Sequence, residues 1–262
     1  MTELVQMATL EAVMNSTSLW LIGLVFFLAL VAAAVGGEML RARIDTRRHD
    51  SGSDGYLLSA VLALLGLLIA FTFSLALSRY DNRREMVVEE GNAIGTLWLR
   101  ATLAQGLQGA ALRDAVKRYA DIRLRLPTAT DHDAVETETL DAQRFVWQHV
   151  RATLPELQPP IAATLVTAAT DMFDAAARRK AERNARIPGR VLDVVSLFAF
   201  FSAGIVGYVL GRKEDRRHRF VTGILFLLLS LAMMLILDLD RPWSGSITLD
   251  PQPIIEARAA MN

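Results

Sequence analysis

YLLSAVLALLGLLIAFTFSLALS (residues 56–78) runs straight into RYDNRREMVVEEGNAIGTLWLRATL (residues 79–103), with no proline or capping break at the join. The first part is long and apolar enough to cross a hydrocarbon layer of ~30 Å, which takes about 20 helical residues. The second is charged and keeps a helical pattern. The join therefore predicts one helix that crosses a bilayer and continues into water. Within the apolar part Ser59, Ala63, Gly66, Ala70 and Ser74 recur at spacings of three or four, which places small residues on one helix face. Such a face either lets helices pack closely or lines a path through an assembly.

Working outward, three further apolar segments approach spanning length: Trp20–Val35, Val191–Leu210 and Phe220–Leu237. With 52% hydrophobic residues, the composition also departs from that of ordinary soluble domains. The chain reads as an all-α integral membrane protein, four transmembrane helices with a helical extramembrane insert between the second and third. The segments are an amphipathic amino-terminal stretch over 1–18, spans at 19–37, 56–78, 190–210 and 220–237, and basic short loops at 38–55 and 211–219. A helical extramembrane domain at 79–189 and an interfacial carboxyl-terminal segment at 238–262 complete the layout.

Inside residues 79–189, Gly106, Gly109, Pro127, Pro155 and the Pro159–Pro160 pair punctuate helical patterns near 79–105, 110–126, 135–153 and 161–186. Ile187–Pro188–Gly189 hinges the chain into the third span. The first loop carries Arg41, Arg43, Arg47 and Arg48, and the second carries Arg212, Lys213, Arg216, Arg217 and Arg219. Loop charge thus favours a cell-membrane protein with its short loops in the cytoplasm. Arginines flanking the second and third spans pull the other way.

Motifs of soluble enzymes are missing: there is no glycine-rich phosphate loop, paired-histidine zinc helix or nucleophile elbow, and no cysteine. The reading is of a protein that is not an enzyme and needs no cofactor and no metal. A formal net charge of zero gives no reason to expect nucleic acid. Asp131–His132–Asp133 reads as a polar turn and helix cap rather than a metal cluster. Asp193, near the start of the third span, is the one carboxylate placed inside the apolar layer, a candidate for permeation or for pairing with Arg190. Ala29, Ala33 and Gly37 on the first span, and Ser196, Ala199, Ala203 and Gly207 on the third, form stripes suited to helix packing.

At about 100° per residue, the small-residue face of the second span points closest to Asp81, then to Asn92 and Glu85, with Glu89 about a quarter turn away. Repeated around a symmetry axis, Asp81, Glu85 and Glu89 would concentrate cations at a pore mouth. Arg79 and Arg83 occupy an adjoining face.

Three blocks carry a family likeness: Gly66–Phe71 leading to Arg79–Tyr80–Asp81; Val87–Ala93 leading to Leu97–Trp98–Leu99–Arg100; and Asp240, Arg241, Pro242, Trp243, Ser244 and Gly245. Through them the chain resembles the bestrophin-like membrane proteins of unknown function found widely in bacteria. The last block is the most specific, and its own residues read as structural, ending a span and anchoring it at the interface. Bestrophins are pentameric ion channels whose second transmembrane helix lines the pore and continues into a cytosolic helical domain. The resemblance therefore implies a homo-oligomer, pentameric by analogy alone, in a lipid bilayer with inorganic ions as partners. It also places the helical domain on the side opposite to the loop-charge reading. Where bestrophins carry an aromatic neck, this chain offers Phe71 and Phe73, neither on the small-residue stripe. Two functions stand: an oligomeric ion channel, or a non-conducting membrane scaffold or sensor whose helical insert binds a partner.

Overall fold

The computed structural model describes residues 18–44, 53–210, 216–242, 245 and 247–261. The amphipathic stretch predicted over 1–18 lies, but for Ser18, outside the described residues, as do Arg47, Arg48, Arg212, Lys213, Trp243 and Ser244. Eight α-helices account for most of the described residues, and no strand occurs among them. They are α1 (Leu19–Ile44), α2 (Ser53–Ala101), α3 (Gly106–Arg125), α4 (His132–Thr153), α5 (Pro159–Asn184), α6 (Gly189–Leu210), α7 (Arg216–Asp240) and α8 (Gln252–Ala259). Four helical stretches, containing α1, α2, α6 and α7, are long and apolar enough to cross a membrane. The join read from the sequence is continuous, since α2 is one helix of 49 residues.

The described chain divides into two compact units, one of residues 1–79 with 186–247 and one of residues 80–185 with 248–262. In the first unit, α1, α6, α7 and the opening half of α2 enclose a core of Leu30, Ala34, Leu65, Ala199, Ala203, Val206 and Phe226. Helices in lipid gain no hydrophobic drive from association, so close backbone approach must supply the contact energy. The stripes on α1 and α6 do this. A Cβ added at Gly207 would overlap the Ala34 carbonyl, and one at Gly37 would overlap the carbonyl of Gly204. The Phe26 and Phe200 rings meet at 5.5 Å, tilted by 46°, beside this seam. Arg41 closes it by donating from Nη1 to the carbonyls of Tyr208, at 2.6 Å, and Val209, at 3.0 Å, in the last described turn of α6.

α7 ends at Asp240, and Pro242 follows at once, where a missing N–H forbids continuation. Asp240 is buried and its Oδ1 accepts the Ile187 N–H at 2.8 Å. Gly245 lies so close to the Asp238 side chain that a Cβ there would clash with it. The described part of the Asp240–Gly245 block thus ties the end of α7 to the linker that starts α6.

In the second unit α3, α4, α5 and α8 surround the closing half of α2. Val87, Ile94, Leu97, Leu112, Val116, Val146, Leu165 and Met172 are all buried there. Gly106 has φ +72, a left-handed conformation that glycine takes without strain, and it opens α3 after the end of α2. Pro127 and Pro155 sit in short 3-10 turns closing α3 and α4, and Pro159 begins α5. Asp131 caps α4, its Oδ1 accepting the Ala134 N–H at 2.9 Å. Ile254 and Met261 bury the carboxyl-terminal helix in this unit, and Gly91 permits the approach: a Cβ there would lie 2.8 Å from the Pro253 carbonyl oxygen.

Candidate functional site

The opening half of α2 is packed on one side and exposed on the rest, where Leu57, Leu64 and Leu67 stand out. Leu58, Leu62, Leu65 and Ile69 pack into the core of the first unit. Thr72 is buried on the same side, its hydroxyl donating to the Leu68 carbonyl at 2.8 Å. The other face carries Ser59, Ala63, Gly66, Ala70 and Ser74, and all five are exposed in the protomer. A Cβ added at Gly66 meets no atom of another element within 4 Å. The α1 and α6 stripes are covered within the protomer, whereas the α2 stripe is not. Phe71 stands 65% exposed beside it, and Phe73 is half-buried.

In the second unit Asp81, Glu85 and Asn92 are exposed, whereas Arg83 is buried. Glu89 accepts from Arg178 Nη2 at 2.5 Å, so its charge is shared with α5. Asp193 is exposed on the first unit. Among the described residues no group of three or more His, Cys, Asp or Glu could hold a metal ion.

Next to Glu89, Glu90 points into the core of the second unit and organises a buried charge cluster. Its Oε1 accepts from Arg123 Nε at 2.5 Å and from the Tyr119 hydroxyl at 3.2 Å. Its Oε2 accepts from Arg123 Nη2 at 3.1 Å and from Arg179 Nη1 at 2.6 Å. Glu136 adds a second carboxylate, 2.9 Å from Arg183 Nη2, 3.4 Å from Arg123 Nη1 and 3.6 Å from Lys180 Nζ. Burial alone would raise the Glu90 carboxyl, but the Arg123 and Arg179 guanidiniums outweigh it and hold Glu90 below the ordinary carboxylate value. Glu136 is lowered as well, Arg183 and Arg123 overcoming its burial. Burial and the Glu90 charge push Tyr119 upward, so the phenol stays a donor. One side chain from α2 thereby fixes α3 and α5, with α4 joined through Glu136.

This cluster is absent from the sequence reading, although two signals point to it. Arg179 and Arg183 stand one turn apart on α5, within a basic run that precedes the third span. Arg123 continues the apolar row Leu112, Val116, Tyr119 on α3, where an unpartnered charge could not be buried.

The Bestrophin-like domain model matches residues 23–254. The chain belongs to the Bestrophin-like family. No curated protein sequence matches it. Among solved structures, a bacterial bestrophin homologue from Klebsiella pneumoniae has a TM-score of 0.67 at 10% identity, covering 93% of this chain and 96% of that one. A tryptophan-to-alanine variant of such a homologue from the same organism gives 0.68 at 12%, covering 94% and 96%. A proline-to-alanine variant of a membrane protein gives 0.70 at 12%, covering 93% and 97%. At such identities the likeness is one of fold. This bestrophin-like chain is a membrane protein, and the likeness of fold extends over 93% of its length.

Proposed function

We propose that this bestrophin-like protein is the subunit of a homo-oligomeric ion channel in which α2 lines the conduction path. The observation that carries this reading is the serine, glycine and alanine face of α2, which the protomer leaves uncovered together with Leu57, Leu64 and Leu67, while Leu58, Leu62, Leu65 and Ile69 pack inward. Small residues turned to lipid forfeit the close contact that rewards them in a membrane. Copies arranged about an axis give that face a role, with Ser59 and Ser74 offering hydroxyls to permeating ions. Asp81 and Glu85 follow on the same helix as the carboxylates of the mouth. Glu89, paired with Arg178, contributes less. The alternative is a scaffold or sensor in which the same face only packs against a partner helix.

Reconstitution into proteoliposomes tests the proposal. A channel gives a cation flux that falls when Asp81→Asn and Glu85→Gln remove the mouth charges, and that is blocked by Ala70→Trp. An intact oligomer with no conductance to sodium, potassium or chloride overturns it. The scaffold reading instead predicts that Ala70→Trp breaks assembly without any prior flux.

A further inference from the structure

The first unit contains a cavity of ≈ 460 Å³ between α1, α6 and α7, independent of the α2 face, and within the range of small-molecule pockets at about 300–1,000 Å³. Val31, Ala34, Val206 and Phe226 wall one part of it. These residues belong to the apolar stretches of their helices, and Ala34, Val206 and Phe226 are buried, so this part is an apolar slot between the three helices. The polar lining comes from Glu38, His218, Arg219 and Thr222. Glu38 follows the apolar run of α1, while His218 and Arg219 precede that of α7. Both ends therefore sit at the level where lipid headgroups lie.

Along each helix the step from polar to apolar lining is about seven residues, or about 10 Å at 1.5 Å per residue. From Glu38 to Val31, and from Arg219 to Phe226, the cavity thus reaches down about half a leaflet. An apolar slot of this depth has room for an acyl chain entering from the headgroup end, and an empty one forfeits dispersion contacts along its walls. The polar end presents a carboxylate together with a guanidinium and an imidazole. A purely anionic headgroup would meet the Glu38 charge, whereas a headgroup carrying both signs satisfies each side.

We infer that this cavity binds a zwitterionic aminophospholipid, its primary ammonium held by Glu38, its phosphate by Arg219 at the His218 edge, and one acyl chain laid along Val31, Ala34 and Phe226. Glu38 selects a primary ammonium over a choline because only the former donates charge-assisted hydrogen bonds. Gly223 lines the cavity, and a Cβ added there meets nothing within 4 Å. A larger side chain at Gly223 therefore occupies the ligand's space without a clash at its root.

Native mass spectrometry of the full-length protein tests this, after exposure in detergent to equal amounts of dioleoyl phosphatidylethanolamine, phosphatidylcholine and phosphatidylglycerol. The expected result is preferential retention of phosphatidylethanolamine. Glu38→Gln lowers that retention about tenfold, to the level of phosphatidylcholine. Gly223→Leu reduces retention of every lipid while the thermal midpoint stays within a few degrees of the parent. Equal retention of the three lipids overturns the inference, as does preference for phosphatidylglycerol or retention unchanged by Glu38→Gln. Displacement of the lipid by soluble phosphoethanolamine at equal concentration also overturns it, since that would put recognition in the headgroup alone.

Discussion

Glu90 on α2 and Arg179 on α5 are 89 residues apart in sequence and 2.6 Å apart in space, both buried. Arg123 shares the same carboxylate. Removing Glu90 leaves two guanidiniums in the core with their principal counter-ion gone. Breaking a buried pair in this way costs about 3–5 kcal/mol, far more than the pair contributes relative to a well-packed apolar substitute. Glu90→Ala is therefore expected to lower the thermal midpoint of the purified protein by several degrees. The exposed ion pair of Arg144 with Asp141 supplies the control, because Asp141→Ala costs at most about 1 kcal/mol. Equal midpoints for the two variants would show that the cluster does not hold the second unit together.

Acid should act through the same cluster. Glu90 and Glu136 both titrate below their ordinary value in the folded protein. A group whose folded pKa is depressed adds stability that is complete above its unfolded pKa, near ~4.3 for glutamate, and is lost as pH falls through the folded value. Midpoints measured between about pH 3 and pH 7 should therefore hold steady at the upper end and fall steeply at the acid end. In a Glu90→Gln, Glu136→Gln variant the midpoint starts lower and the acid slope flattens. An unchanged slope would assign acid sensitivity to carboxylates elsewhere.

The seam between α1 and α6 gives a prediction of a different kind. Gly207 has the Ala34 backbone where a Cβ would go, so any larger residue must push two backbones apart. In a lipid-embedded pair that contact is the source of association. Gly207→Leu is expected to abolish the monodisperse species in size-exclusion chromatography. Gly36→Leu, at a glycine with no neighbour within 4 Å of its Cβ, should leave that species intact. Similar profiles for both variants would mean that close approach at this seam is dispensable.

The fold was legible in the sequence because a bilayer restricts the options. A spanning segment must satisfy its own backbone, so length and hydropathy locate the helices, and an unbroken helical pattern through Ser78–Arg79 forces α2 to be one helix. The stripes were legible only in part. Spacing shows that Gly207 and Gly66 each lie on a small-residue face, but which of them meets a neighbour depends on how the helices associate. The Glu90 cluster was hidden for a related reason. Spacing puts Arg123 on an apolar row and Arg179 in a basic run, but only tertiary structure brings one carboxylate to both. Glu89 and Glu90 are adjacent and chemically alike, yet one is half-buried against Arg178 and the other lies in the core.

The absence of cysteine gives a clean background for testing what the uncovered face of α2 meets. Ala63→Cys, Gly66→Cys, Ala70→Cys and Ser74→Cys place single thiols on that face. Leu65→Cys and Ala76→Cys place them on the packed face, where the native side chains are 1% and 0% exposed. A charged, water-soluble thiol reagent reacts with thiolate in water and does not enter hydrocarbon. A water-filled path predicts that all four positions on the uncovered face are labelled in liposomes, with the two packed positions protected. Substitution at Ala70 should then block flux once labelled, because the added group occupies the path. If the uncovered face instead lies against lipid or a partner helix, it stays unlabelled in the bilayer while reacting in denaturant, and the conduction reading fails. Labelling confined to Ser74→Cys would place water only at the Arg79 end of the span, consistent with a vestibule above a closed segment rather than a continuous pore.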